Sequence, residues 1–485
     1  MTHHVVVVGG GISGLAAAWH LANRYGDQIT ITVLEAAPQF GGKLAARSIC
    51  GIPVDVGAEA MLATRPEAVS LACSVGLEAD IVHPATTASR LFIRGRLVPM
   101  PGGLMMGAPT DLHALATAGV LGPRALLRIP LDFVLPRTPI EGDVSVGEYI
   151  EKRLGRGVVD LLVDPLLGGV YSGRADQLSL EATVPMLFRR AKEHRSLLAA
   201  ARQAMGTGGR AVGAPRSPVF AGLTGGVTRL AGTTVDRLLE LGVTMRTGAT
   251  VRELVRTASG WQLTLGSAAA PELLNASAVI LATPASPTSR LLASTAQGAS
   301  IELDAIEYAN VAVVNLAYRA SDVGALVGSG FLAPPIEGGT VKAATYLGSK
   351  WAWIGSAADK QGLVLLRASV GRYRDAEVLA HTDEDIADLV HADLARALPL
   401  SARPVETLVT RWGGALPQYA VGHVGRVGRI KSAVAQVPGL AVCGAAFDGV
   451  GIAACVSSAQ AAVDQLAGHL NLPGTSINSE NGTHG

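Results

Sequence analysis

The chain has 485 residues, 49% hydrophobic and 16% charged, with a formal net charge of +1. A chain of this length is expected to fold into about two to four domain-sized units, and its balanced charge excludes a basic field for nucleic acid. Its four cysteines, Cys50, Cys73, Cys443 and Cys455, lack C-x-x-C or metal-ligand spacing, so reduced thiols and no metal centre are expected.

The chain opens on a buried strand at 5–8, a glycine turn, a helix and a second strand at 29–34. Gly9, Gly11 and Gly14 take the G-x-G-x-x-G spacing directly after the strand, and Glu35 follows Gly14 by 35 − 14 = 21 residues. The first glycine permits the tight turn, and the second lets a pyrophosphate reach the backbone. The third lets the helix pack on its strand, while an acid at that distance accepts from ribose hydroxyls. An ADP-containing cofactor is expected here. The apolar run 5–22 is neither signal peptide nor anchor, because it lacks a basic leader and carries four glycines near its start. A cytoplasmic protein is expected.

A second glycine turn at Gly41, Gly42 and Lys43 offers another backbone approach to the same cofactor. Small residues around Gly57, Ala58, Glu59 and Ala60 would let a flat ligand lie against the chain, and a helix follows at 66–76. A hairpin is expected at 90–101. From 102 to about 211 the pattern turns helical, with segments at 112–120, 124–133, 145–154 and 185–205. Ser145 and Glu148 have capping-box spacing. Apolar side chains within 91–133 fit either core packing or a membrane surface. Residues 205–218 read as a mobile loop.

Beyond it come an amphipathic helix at 224–241 and strands at 243–246, 251–255, 261–265 and 279–282. Strands at 310–318, 340–346, 363–370 and 406–412 with a helix at 383–398 suggest a second, α+β domain. Near the end a short strand at 440–443 meets Gly444, then Gly449, Val450 and Gly451, then a helix at 453–466. This repeats the opening logic as a second anion or carbonyl-oxygen site. Residues 471–485 read as a disordered tail.

One ADP site at the start and a second glycine turn at the end suggest one long cofactor, which describes FAD better than NAD. The motifs VVVVGGGISGL, VLEA, FGGK, DVGAE, GGVTRLAGTTVDRL, ATVREL and CGAAFDGVGIAACV resemble flavoprotein oxidases of the amine-oxidase superfamily. Within it, PMPGGLMMGAPT, DPLLGGVYSGRADQLSLEATVP, EHRSLL and RWGGALPQYAVGH resemble the porphyrinogen oxidases of haem synthesis.

The resemblance implies an α/β and α+β fold: a discontinuous Rossmann-like FAD-binding domain (1–90, 212–293 and 413–471) and a mixed-sheet substrate domain (91–101 and 294–412). A helical insertion (102–211) and a tail (472–485) complete it. By similarity Gly9, Gly10, Gly11, Ile12, Ser13, Gly14, Glu35, Ala36, Gly42, Lys43, Gly57, Ala58, Glu59, Ala60, Val251, Trp412, Gly444, Gly449, Val450, Gly451 and Ile452 line FAD. Gly169 and Phe331 match positions facing the tetrapyrrole. Mitochondrial members carry arginine where this chain has Glu59 and Gly168, so their proposed propionate clamp does not transfer. Arg65 matches a basic position of the Gram-positive-type enzymes and is the preferred carboxylate partner, with a solvent-facing arginine as the alternative.

The implied reaction is oxidation of coproporphyrinogen III to coproporphyrin III by hydride transfer to FAD, six electrons in total, with O2 as acceptor. No catalytic side chain is assigned, because the flavin carries the chemistry. Protoporphyrinogen IX oxidation is the alternative, and an amine or carotenoid oxidoreductase the further one. Hand-off of the product to a ferrochelatase and peripheral contact with the inner membrane face are further implications.

Overall fold

In the computed structural model, which describes residues 3–206 and 218–470, five parallel strands form the sheet that carries the first glycine turn. Their order is Thr244–Arg246, Ile29–Leu34, His3–Val8, Ala278–Leu281 and Leu440–Val442. Val5, Val6, Val7 and Val8 are buried on both faces, which is why the strand reads as an unbroken aliphatic run. The helices Ile12–Tyr25 and Ile452–Leu470 cover one face. The antiparallel meander Val251–Thr257, Gly260–Ser267 and Ala270–Ala276 covers the other, with the helices Ala285–Leu292, Gln297–Asp304 and His423–Ala435.

A seven-stranded mixed sheet stands beside it. Its order is Glu406–Pro417, Tyr308–Arg319, Leu363–Val370, Val341–Tyr346, Gly330–Leu332, Ser89–Ile93 and Arg96–Pro99. One face packs on the helix Asp383–Ala397 through Val314, Leu316, Phe331, Ala344, Leu366 and Val390. Ala317 and Leu365 on the opposite face pack against the hairpin Ala46–Ile49 and Ile52–Asp55 and the helix Ala352–Asp359.

The insertion has its own core, centred on the helix Val146–Leu154 and on the helix Asp164–Tyr171, called the site helix below. Ser145 caps the first through Glu148 N–H at 3.1 Å, whereas the Glu148 carboxylate pairs with Lys152 and leaves the capping box half made. Arg153 and Asp132 form a fully buried ion pair at 2.6 Å.

That pair explains one departure from expectation. The helix expected over 185–205 breaks into Pro185–Glu193 and Leu197–Gly206, because Ser196 Oγ and Leu198 N–H turn to donate to the Asp132 carboxylate. A second departure concerns 294–304. The helix Gln297–Asp304 packs on the parallel sheet, and the mixed sheet takes up the chain only at Tyr308. The loop and tail expected at 205–218 and 471–485 lie outside the described residues, apart from the ends of the loop.

Candidate functional site

Four turns distant in sequence meet at the C-terminal ends of the parallel strands. At the first, a Cβ on Gly14 would lie 1.8 Å from Gly9 O, so no side chain fits where the helix crosses its strand. A Cβ on Gly11 would meet nothing within 4 Å. The turn is closed toward the protein and open at the helix N-terminus, which is the shape a diphosphate requires.

Glu35 is held in place by two backbone donors, Gly10 N–H and Ala37 N–H, each at 2.7 Å. An ionised carboxylate has about four acceptor positions, so both oxygens retain capacity for hydroxyls. Ala249 N–H donates to Glu35 O at 2.8 Å, which places Val251 two residues from the same spot.

The second turn lies directly on the first, with Gly41 N–H donating to Gly10 O at 2.8 Å. Lys43 follows it. Its ammonium makes no hydrogen bond or ion pair with any described residue, and burial lowers its pKa while the Cys455 thiol works the other way. Cys455 belongs to the first turn of the C-terminal helix, so Lys43 sits where the opening and closing glycine turns converge. An unpartnered cation at that junction fits an anionic cofactor.

The third turn continues from Lys43, whose carbonyl accepts from Ala58 N–H at 2.9 Å. Asp55 just before it caps the helix Thr228–Glu240 from outside, accepting from Val227 N–H, Thr228 N–H and Thr228 Oγ1 at 2.9, 3.2 and 2.7 Å. Trp412 Nε1 donates to Val56 O at 2.8 Å and lays its ring on Gly57. Glu59 turns its carboxylate away from the turn, to Trp351 Nε1 at 2.7 Å, Lys350 at 2.9 Å and Arg367 at 3.4 Å. Burial alone would raise its pKa, but the two cations outweigh it and hold the group at about 2. Only the backbone of Glu59 remains for a ligand.

The fourth turn is braced by a residue that carries no local sequence signal. Tyr419 OH donates to Ala445 O at 2.6 Å and accepts from Gly449 N–H at 2.8 Å. Gly444 N–H donates to Ser458 Oγ, and Gly451, like Gly11, faces open space. Arg367 was equally hidden: it donates to Asp55 O at 2.9 Å and Gly57 O at 2.5 Å from a strand more than 300 residues away. Only strand alternation through Leu365, Arg367 and Ser369 marks its face.

The substrate positions separate. Gly169 is exposed on the last turn of the site helix, and its carbonyl accepts no hydrogen bond among the described residues. A Cβ there would lie 3.6 Å from Leu332 Cδ2. Phe331, expected to face the tetrapyrrole, points the other way. It is buried beneath the helix Asp383–Ala397, its ring 6.1 Å from that of Phe92. Neighbours on a strand face opposite sides, so Leu332, not Phe331, lies on the face toward Gly169. Arg65 precedes the helix Pro66–Ser74 with its side chain 41% exposed, and it already pairs with Glu67 at 2.6 Å. All four cysteines are free thiols, Cys443 and Cys455 buried.

Comparison with known proteins gives the chemistry a frame. The model of the flavin containing amine oxidoreductase family matches residues 12–467. The chain is 32% identical over 479 residues to coproporphyrinogen III oxidase of Bacillus subtilis (strain 168), covering 96% of this chain and 98% of that one. It is 34% identical over 464 residues to coproporphyrinogen III oxidase of Mycobacterium leprae (strain TN), covering 95% and 97%. A crystal structure from Exiguobacterium sp. 255-15, assigned as a protoporphyrinogen oxidase, superposes with a TM-score of 0.83 at 28% identity over 97% and 100% of the two chains. With four glycine-bearing turns converging at one place, the chain belongs to the flavin-containing amine oxidoreductase family and is an FAD-dependent oxidoreductase.

Proposed function

We propose that the protein oxidises coproporphyrinogen III to coproporphyrin III in haem biosynthesis, with O2 as electron acceptor. The observation that carries this reading is the wall formed by Gly169 and Leu332, an exposed backbone with a free carbonyl opposite an apolar side chain. It suits a broad apolar macrocycle that carries inward N–H groups. Similarity to named coproporphyrinogen III oxidases over nearly the whole chain supports the same reading.

FAD supplies the hydride acceptor when bound. Glu35, Ala36 and Val251 hold its adenosine end. Gly9, Gly10, Gly11, Ile12, Ser13, Gly14, Gly42 and Lys43 surround the diphosphate. Gly57, Ala58, the Glu59 backbone, Ala60, Trp412, Gly444, Gly449, Val450, Gly451 and Ile452 complete the cradle. Each round removes a hydride from a bridging methylene carbon and a proton from a pyrrole nitrogen, and three rounds remove six electrons. Hydride loss leaves a cationic pyrrole whose N–H proton departs readily, so the protein's task is orientation rather than strong-base catalysis. The Gly169 carbonyl accepts from pyrrole N–H and fixes the ring's height, and Leu332 packs on its face.

Purified FAD-loaded protein assayed in air on coproporphyrinogen III and protoporphyrinogen IX tests the reading. Faster turnover of the first is expected, and faster turnover of the second would overturn the substrate. The second reading, protoporphyrinogen IX oxidation, is favoured by the likeness to the Exiguobacterium protein.

Among the described residues no helix is long and apolar enough to cross a membrane. Most apolar side chains of 91–133 are core, but Leu127 is 77% exposed and Leu131, Phe133 and Val134 are exposed beside it. This strip is the proposed peripheral contact of a cytoplasmic enzyme with the inner membrane face, where product passes to a ferrochelatase. Loss of co-sedimentation with anionic vesicles in Leu127→Gln/Val134→Gln is the expected result, and unchanged co-sedimentation would remove the strip from consideration.

A further inference from the structure

The site helix ends beside two buried cations that make no direct ion pair among the described residues. Lys342 is 4% exposed and Arg372 is 6% exposed, and among the described residues neither has a carboxylate oxygen within 4.0 Å. Lys342 occupies the irregular step between Val341 and Ala343 in its strand, and its ammonium reaches the end of the site helix. There it donates to Ser172 Oγ and to Gly371 O, the latter at 2.9 Å. Ser172 is the left-handed residue that ends the helix, at φ 51°. Among the described residues the Arg372 guanidinium makes one hydrogen bond, donating to Ala333 O at 3.3 Å. The next residue ties this turn to the helix, since Tyr373 N–H donates to Ser172 O at 2.7 Å.

Burial in an apolar surround, with Arg372 adding like charge, brings the Lys342 ammonium down to about 7. Burial also lowers the pKa of Arg372 and the nearby Arg174 adds to this, against the pull of Asp375 and Asp164. Arg174 divides itself between Asp164 and Asp375, each at 3.5 Å, so those acids are already engaged. Two buried cations side by side are costly without an anion. Tying the Ser172 hydroxyl to the turn at Gly371 accounts for the bonds from Lys342, but it leaves most of the Arg372 donors unused.

We propose that Lys342 and Arg372 form a receiving site for one carboxylate of the tetrapyrrole. Ser172 follows Gly169 by three residues, so the site lies about one helical turn from the carbonyl that takes the pyrrole N–H groups. A propionate arm extends outward from its pyrrole on two flexible carbons, which suits that displacement. The planar guanidinium takes both carboxylate oxygens, and the lysine's third N–H completes the pocket. The proposal rests on the porphyrinogen reading and adds to it the place where one arm is held.

The test compares FAD-loaded wild type, Lys342→Met and Arg372→Met for binding of coproporphyrin III and of its tetramethyl ester, followed by fluorescence titration. Esterification removes the charges and keeps the ring. The wild type is expected to favour the acid, and each variant to reduce the acid-to-ester affinity ratio at least about tenfold, as for loss of a desolvated charge partner. Melting temperature is expected to hold or rise, because an unpaired buried charge is removed. A fallen melting temperature with an unchanged ratio would assign the pair to bracing the turn at Ser172 and overturn the proposal. If either methionine variant loses FAD, Lys342→Gln and Arg372→Gln carry the same comparison. A wild type that binds neither porphyrin would bring down the porphyrinogen reading itself, and this proposal with it.

Discussion

The strand Gly330–Leu332 yields the sharpest prediction, because adjacent side chains are assigned opposite fates. Leu332 keeps a minority of its surface exposed and lies beside the exposed Gly169. A bound ring would cover about a third of a leucine side chain, and full burial is worth about 1.5–3 kcal/mol, so the contact is worth about 0.5–1 kcal/mol. Leu332→Ala is therefore expected to weaken coproporphyrin III binding about two- to fivefold. Phe331 touches no ligand in this arrangement, and its ring fills the core beneath the helix Asp383–Ala397. Phe331→Ala is expected to cost about 3–5 kcal/mol of stability, and the milder Phe331→Leu less than about 1.5 kcal/mol. Neither should change porphyrin affinity in folded, FAD-loaded protein. Fluorescence titration and thermal unfolding on the same samples separate the effects. A Phe331→Leu protein that binds porphyrin more weakly than Leu332→Ala would refute the assignment of faces.

Other changes probe the cofactor turns and the scaffold. Glu35→Ala removes a charged acceptor from the ribose and frees Gly10 and Ala37 N–H, so FAD affinity should fall by about 1–3 kcal/mol; equilibrium dialysis showing no change would dismiss the role. Arg153→Met strands Asp132 inside the insertion and should cost about 3–5 kcal/mol, whereas replacing both partners with apolar residues should cost less than either single change in denaturant unfolding. Glu59 has a folded pKa of about 2 against an ordinary 4.5, so its stabilisation is complete above the unfolded value and disappears as pH falls from 4.5 toward 2. Wild type should therefore lose more stability than Glu59→Gln between about pH 5 and pH 3, and parallel pH profiles would contradict the buried ion pair.

The cofactor turns were legible because their demands are local. Gly9, Gly11 and Gly14 are dictated by a turn and a helix start within a few residues, and Glu35 by the end of the next strand. The resemblance motifs extended that reading to FAD. Sequence could not tell which face of a three-residue strand looks at the ligand, since Phe331 and Leu332 are both apolar and the pairing with Val341–Tyr346 sets the answer. Nor could it show that Glu59 turns to Lys350 and Arg367, that Asp55 caps a helix that begins at Thr228, or that Tyr419 braces Gly449. The cations Lys342 and Arg372 look like ordinary polar residues on strand and turn until the site helix is packed against them. Backbone geometry and short-range spacing are written in neighbouring residues, whereas side-chain direction and charge pairing are decided by segments hundreds of residues apart, which only the folded chain brings together.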